Sequence, residues 1–137
     1  MKTKILTLLF IIGIGLLNSC SSDDDNTTLP DESINGVWNL KNASFGLSPT
    51  TIDYNLGDVI WTFNQNATLI VENNIITEDI YSVGLESGTY DYEIEQNGNS
   101  QTLYINSDQR GVITILSDNL KINDSRPLDG IIIEFER

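Results

Sequence analysis

Residues 89–106 read TYDYEIEQNGNSQTLYIN. Over residues 89–95, Tyr90, Tyr92 and Ile94 alternate with Asp91, Glu93 and Glu95. A period of two places the two sets on opposite faces of a β-strand. One face is apolar and the other carries only acids, so the strand separates a dry side from a wet one. We read the acids as a solvated face. Asn97-Gly98 follows, a pair suited to the positive φ angles of a tight hairpin turn. The chain then returns over residues 102–106. An antiparallel hairpin with one apolar face is therefore the unit from which the rest of the chain can be read.

The same grammar extends in both directions. Residues 36–45 set Trp38 and Leu40 against Asn39 and Lys41, and residues 58–63 put Val59, Trp61 and Phe63 on one face. A turn over residues 64–67 leads into residues 68–72, with Leu69 and Val71 inward. A less regular stretch, residues 75–83, is a candidate fourth strand. Beyond the hairpin come residues 112–116, a turn at Asp118-Asn119, residues 120–122, and a last strand with Ile131, Ile133 and Phe135 set against Glu134 and Glu136. Nowhere in this region does a 3.6-residue apolar period persist. The reading is all-β, with eight or nine strands joined mostly by short turns, hence an antiparallel up-and-down meander. A long meander with one apolar face must bury that face and protect its edge strands. Closure into an eight-stranded barrel does both. A two-sheet sandwich is the competing architecture, and pairing of first and last strands distinguishes the two.

The N-terminal segment is of another kind. Lys2 and Lys4 precede a nearly unbroken aliphatic run over residues 5–17, which ends in Leu17-Asn18-Ser19-Cys20. Spanning a bilayer takes about 20 apolar residues, and this run falls short of that. Its charge order is that of a secretory signal. The tetrad resembles a bacterial lipobox, with Asn18 the less common choice at its place. The resemblance implies cleavage after residue 19 and acylation of Cys20, the only cysteine. Several acyl chains on one residue would anchor the protein firmly, since each buried CH₂ contributes about 0.8 kcal/mol. Ser21, Ser22, Asp23, Asp24 and Asp25 resemble the export signal that sends Bacteroidota lipoproteins to the cell surface; a solvated acidic spacer is the plainer reading. The expected organisation is a signal peptide (1–19), an acidic flexible tether (20–33) and a barrel domain (34–137). The expected location is the outer membrane, facing the cell surface.

Composition excludes more than it assigns. The chain holds 20 acids against 7 bases, a net charge of −13, and the loss of Lys2 and Lys4 on cleavage would make it more acidic still. Nucleic acid is thereby excluded as a partner, because phosphate binding needs clustered bases. There is no histidine. With Cys20 acylated, no thiol remains. Ser-His-Asp and Cys-His catalysis and His- or Cys-based metal sites are then ruled out. No EF-hand loop or glycine-rich phosphate loop occurs. A carboxylate pair of the glycosidase kind stays open in principle. We expect a non-enzymatic protein without metal or cofactor.

Several short motifs together carry a family resemblance. Gly36-Val37-Trp38 is similar to the G-x-W opening of lipocalins. Residues 34–137 resemble the short lipocalin-like domains of bacterial lipoproteins, through Thr62-Phe63-Asn64 with Asn66-Ala67-Thr68, Gly88-Thr89-Tyr90, and Ile113, Leu116, Ser117 and Leu120. Ala67 stands where the pattern has glycine. The resemblance implies that Trp38 plugs the closed end of the barrel, with Arg137 the candidate to pack across it. It also implies a small apolar ligand inside.

For that ligand the inward aromatics Trp61, Phe63, Tyr90 and Tyr92 are the candidate lining; a packed core is the alternative. Eight strands give an interior that side chains can fill or that holds one small ligand. The competing function is a protein-binding module acting through loops 46–57 and 73–87. These carry Leu47, Ile52, Tyr54 and Leu56, and Ile75, Ile76, Ile80, Tyr81 and Leu85. The same residues would serve equally as caps on the barrel. A purely structural envelope lipoprotein is the third reading.

Overall fold

The first strand of the chain pairs with the last. In the computed structural model, which describes residues 33–46, 50–75, 83, 85–124 and 130–137, β1 (Gly36–Phe45) lies antiparallel to β9 (Ile131–Glu136). Between them run β2 (Thr51–Asp53), β3 (Val59–Phe63), β4 (Thr68–Asn73), β5 (Gly88–Asn97), β6 (Ser100–Ile105), β7 (Asp108–Leu116) and β8 (Asn119–Asn123). Leaving β2 aside, each strand pairs antiparallel with its neighbour in sequence, and the β1–β9 seam closes eight strands into an up-and-down barrel. The sandwich is excluded, since it would leave the first and last strands apart.

The ninth strand lies where the sequence suggested a loop. β2 sits outside the ring and pairs only with β1, through Asn42↔Asp53, Ala43↔Ile52 and Ser44↔Thr51. The first half of β1 pairs on that same edge with β3, from Gly36↔Phe63 to Asn39↔Ile60. The suggested strand at residues 75–83 falls mostly outside the described residues, and its described ends, Ile75 and Val83, are not in strand. The signal peptide and most of the tether, including Cys20, Ser21, Ser22, Asp23, Asp24 and Asp25, also lie outside the described residues.

The core follows the alternation. Trp38, Leu40, Val59, Trp61, Phe63, Leu69, Val71, Leu103, Ile105, Leu120, Ile122 and Phe135 are buried, and their strand neighbours are mostly polar and face water. Each such burial contributes about 1.5–3 kcal/mol before entropy is counted. β5 is exceptional in pairing with β4 only over Gly88–Asp91 and with β6 only over Tyr92–Asn97. This stagger leaves Tyr90, Tyr92 and Ile94 half-buried against the core.

Topology sorts the connections into two ends. The turns at 64–67, 98–99 and 117–118 share one end with Ile34 and Arg137. The strand ends at Phe45, Asn73, Ile105 and Asn123 share the other.

Candidate functional site

At the turn end Trp38 and Arg137 pack together. The Trp38 side chain is fully buried, and its Nε1 donates to Ile34 O at 2.7 Å. The Arg137 guanidinium carbon lies 4.4 Å from the centre of the indole ring. Arg137 Nη2 donates to Ser117 O at 3.1 Å, and Nε stands 3.7 Å from Asp118 Oδ1. Tyr92 closes the neighbouring sector: its hydroxyl lies 3.0 Å from Asn64 O and 3.1 Å from Asn35 Oδ1, two acceptors for one proton. Burial raises the Tyr92 pKa above the usual phenol value. Arg137 thus packs across the buried Trp38 ring at this end.

Inside, the rings form a chain. Trp61 meets Phe135 with centroids 4.9 Å apart and Phe63 at 6.0 Å; Phe63 meets Tyr92 edge-on at 5.0 Å. Three of the four candidate ligand residues therefore touch in series. Tyr90 does not join them; its hydroxyl donates to Glu86 O at 2.8 Å. Trp61 is 1% exposed, Phe63 2% and Phe135 0%. A void of ligand size beside them would leave part of their surface in free space, so side chains fill the barrel at this level. One polar group in this layer is left over. Trp61 Nε1 is buried and has no hydrogen-bond partner among the described residues. Indole N–H is a donor only, and an unmade hydrogen bond on such a group costs about 1–3 kcal/mol.

At the loop end, apolar side chains form a lid. Val83 and Leu85 are buried, and Phe45, Tyr54, Ile75 and Ile133 pack half-buried against the core. Polar bonds tie the connections together: Asn74 Nδ2 donates to Gly57 O at 2.8 Å, and Asn73 N to Ser87 Oγ at 2.8 Å. Burial raises the pKa of Tyr54. Of the loop residues singled out from sequence, Tyr54, Ile75 and Leu85 thus serve as caps. Leu56 is 78% exposed. Leu47, Ile76, Ile80 and Tyr81 lie outside the described residues.

No known family, curated protein or solved structure matches this chain. Its chemistry has to be read from its own residues. Asp91, Glu93 and Glu95 point outward and are exposed. Among the described residues no cluster of acids is arranged to hold a metal ion.

One polar residue escaped the sequence reading. In β7, Leu103 pairs with Gly111 and Tyr104 with Gln109, so Arg110 is an extra residue in a β-bulge. Its Nε is buried without a hydrogen-bond partner among the described residues. The available signal was Gly111, since a glycine inside a strand often marks a bulge.

Proposed function

We propose that the protein is a lipid-anchored outer-membrane lipoprotein, displayed on the cell surface, whose lipocalin-like barrel binds a small apolar ligand and performs no catalysis. The observation that carries the ligand is the orphaned Trp61 Nε1. Native interiors pair nearly all their buried donors. A donor left open in an aromatic layer fits a guest that displaces part of this packing, is mostly apolar and supplies one acceptor. Entry is from the loop end, by displacement of the Phe45, Tyr54, Ile75 and Leu85 lid, because the other end is plugged by Trp38 and Arg137. The described domain begins at the plugged end, so a tether from Cys20 would turn the lid away from the membrane.

The test is mass spectrometry of the protein recovered from its native envelope, under native and denaturing conditions. A small-molecule adduct lost on denaturation is the expected result. A bare mass would overturn the carrier reading. Replacing Cys20 by Ser should abolish incorporation of an alkyne-tagged palmitate and release the protein from the membrane fraction. Retention of label would overturn the anchor.

The near-complete burial of Trp61, Phe63 and Phe135 favours a second reading, in which the barrel is a filled scaffold and its loops bind a protein. Exposed Leu56 is the described residue that would then make contact.

A further inference from the structure

We propose that Arg110 is the anion receptor of this barrel, and that its ligand is an amphiphile with an oxyanion head group, a carboxylate or a phosphate monoester. The inference deepens the ligand-binding reading and rests on it.

Three observations lead here. The first is charge. This chain has 20 acids and only 7 bases. Lys41, Lys121 and Arg137 each stand within 4 Å of a carboxylate, on Glu136, Glu134 and Asp118. Among the described residues Arg110 has no such partner, and its buried Nε has no acceptor. A guanidinium is a cation with five N–H donors and no acceptor, so only an anion or other acceptor complements it. In so acidic a protein, keeping a half-buried guanidinium clear of carboxylates leaves a position open for an anion from outside.

The second is backbone construction. Gly111 has φ +144°, and a Cβ there would lie 2.4 Å from Asn123 O. Only glycine allows β7 to close onto the end of β8 at this point. The resulting bulge throws Arg110 out of the regular ladder, and bulges at barrel rims commonly redirect a side chain in this way.

The third is position. Gly111 abuts Asn123 and Asp124, Asp124 N donates to Ile131 O at 2.9 Å, and Ile131 pairs with Phe45. The bulge therefore lies at the loop end, on the same rim as the apolar lid. A guest with its chain under the lid would carry its head group to this rim. Guanidinium matches the geometry of both carboxylate and phosphate oxygens, which lysine does not.

The test titrates the full chain, in detergent, with three probes of equal chain length: dodecanoate, dodecyl phosphate and dodecanol. Calorimetry gives the affinities. At least one anionic probe should bind about tenfold or more tightly than the alcohol, the scale of one charge-assisted hydrogen bond. Which anion prevails identifies the head group. Arg110→Gln should bring that anion down to the affinity of the alcohol and leave the alcohol unchanged, while Arg110→Lys should fall between. Equal binding of all three probes by the wild type would overturn the Arg110 assignment and leave the carrier reading standing. Binding of none would overturn the Arg110 assignment, and the native mass then decides the carrier reading. The wild-type comparison decides the matter even should the variants fail to fold.

Discussion

The guanidinium of the last residue, Arg137, sits 4.4 Å from the ring centre of Trp38, a residue near the start of the domain. Only 18% of the Arg137 side chain is exposed, so this cation–π contact is partly desolvated. Contacts of this kind contribute about 0.5–2 kcal/mol. Arg137→Ala should therefore lower the melting temperature by roughly 2–10 °C, with Arg137→Lys intermediate. The Lys41–Glu136 pair on the outer surface is a control. Its side chains are half-exposed at 3.1 Å, and Lys41→Gln should cost less than about 0.5 kcal/mol. Comparable losses from both changes would contradict a stabilising role for the Arg137–Trp38 contact.

Ala67 adopts φ +61° in the turn between β3 and β4. A Cβ is disfavoured there and glycine is not. Ala67→Gly should stabilise the barrel by about 1 kcal/mol, because the strain removed exceeds the added freedom of the unfolded chain. Chemical denaturation measures this directly, and a lower midpoint would refute it.

Gly111 presents the opposite case. Its positive φ and the 2.4 Å approach to Asn123 O leave no room for a methyl group. Gly111→Ala should cost about 3 kcal/mol or more, since the obstacle is backbone and cannot rotate away. A variant as stable as wild type would mean that the bulge forms differently from the description above.

Tyr92 makes a prediction in pH. Its pKa is raised by burial above the phenol value of 10.0. A group whose folded pKa lies above its unfolded one favours the folded state fully below the unfolded pKa. That contribution is lost as pH rises from 10.0 through the folded value. Melting temperature should thus decline above about pH 10, and Tyr92→Phe should flatten the decline. An identical alkaline profile in the variant would assign the loss to other groups.

The apolar alternation made the ring legible from sequence: Trp38, Trp61, Phe63, Leu69 and Phe135 all face inward as their spacing dictates. What escaped were features that three-dimensional pairing decides. β2 is only three residues long, too short to display a period, and exists because β1 extends past the end of β3. The start of β7 was hidden because the bulge at Arg110 breaks the alternation that would have announced it. The candidate ligand residues were legible as inward-facing but not as neighbours. Sequence gives the face of a strand and not its stagger, and the stagger of β5 carries Tyr92 to Asn35, while Tyr90 turns back to Glu86.

The seam between β1 and β9 also has a mechanical meaning. β1 is held along one edge by β3 and β2 and along the other by β9. Its first residue, Gly36, lies at the end where Arg137 packs across Trp38 and the preceding chain departs. A tug transmitted through that chain runs along the strand axis and loads both ladders in shear. Many backbone hydrogen bonds must then yield together, where an end strand pulled sideways would unzip them one by one. The strand that completes the ring is thus also the one best placed to resist a pull on the chain that precedes it.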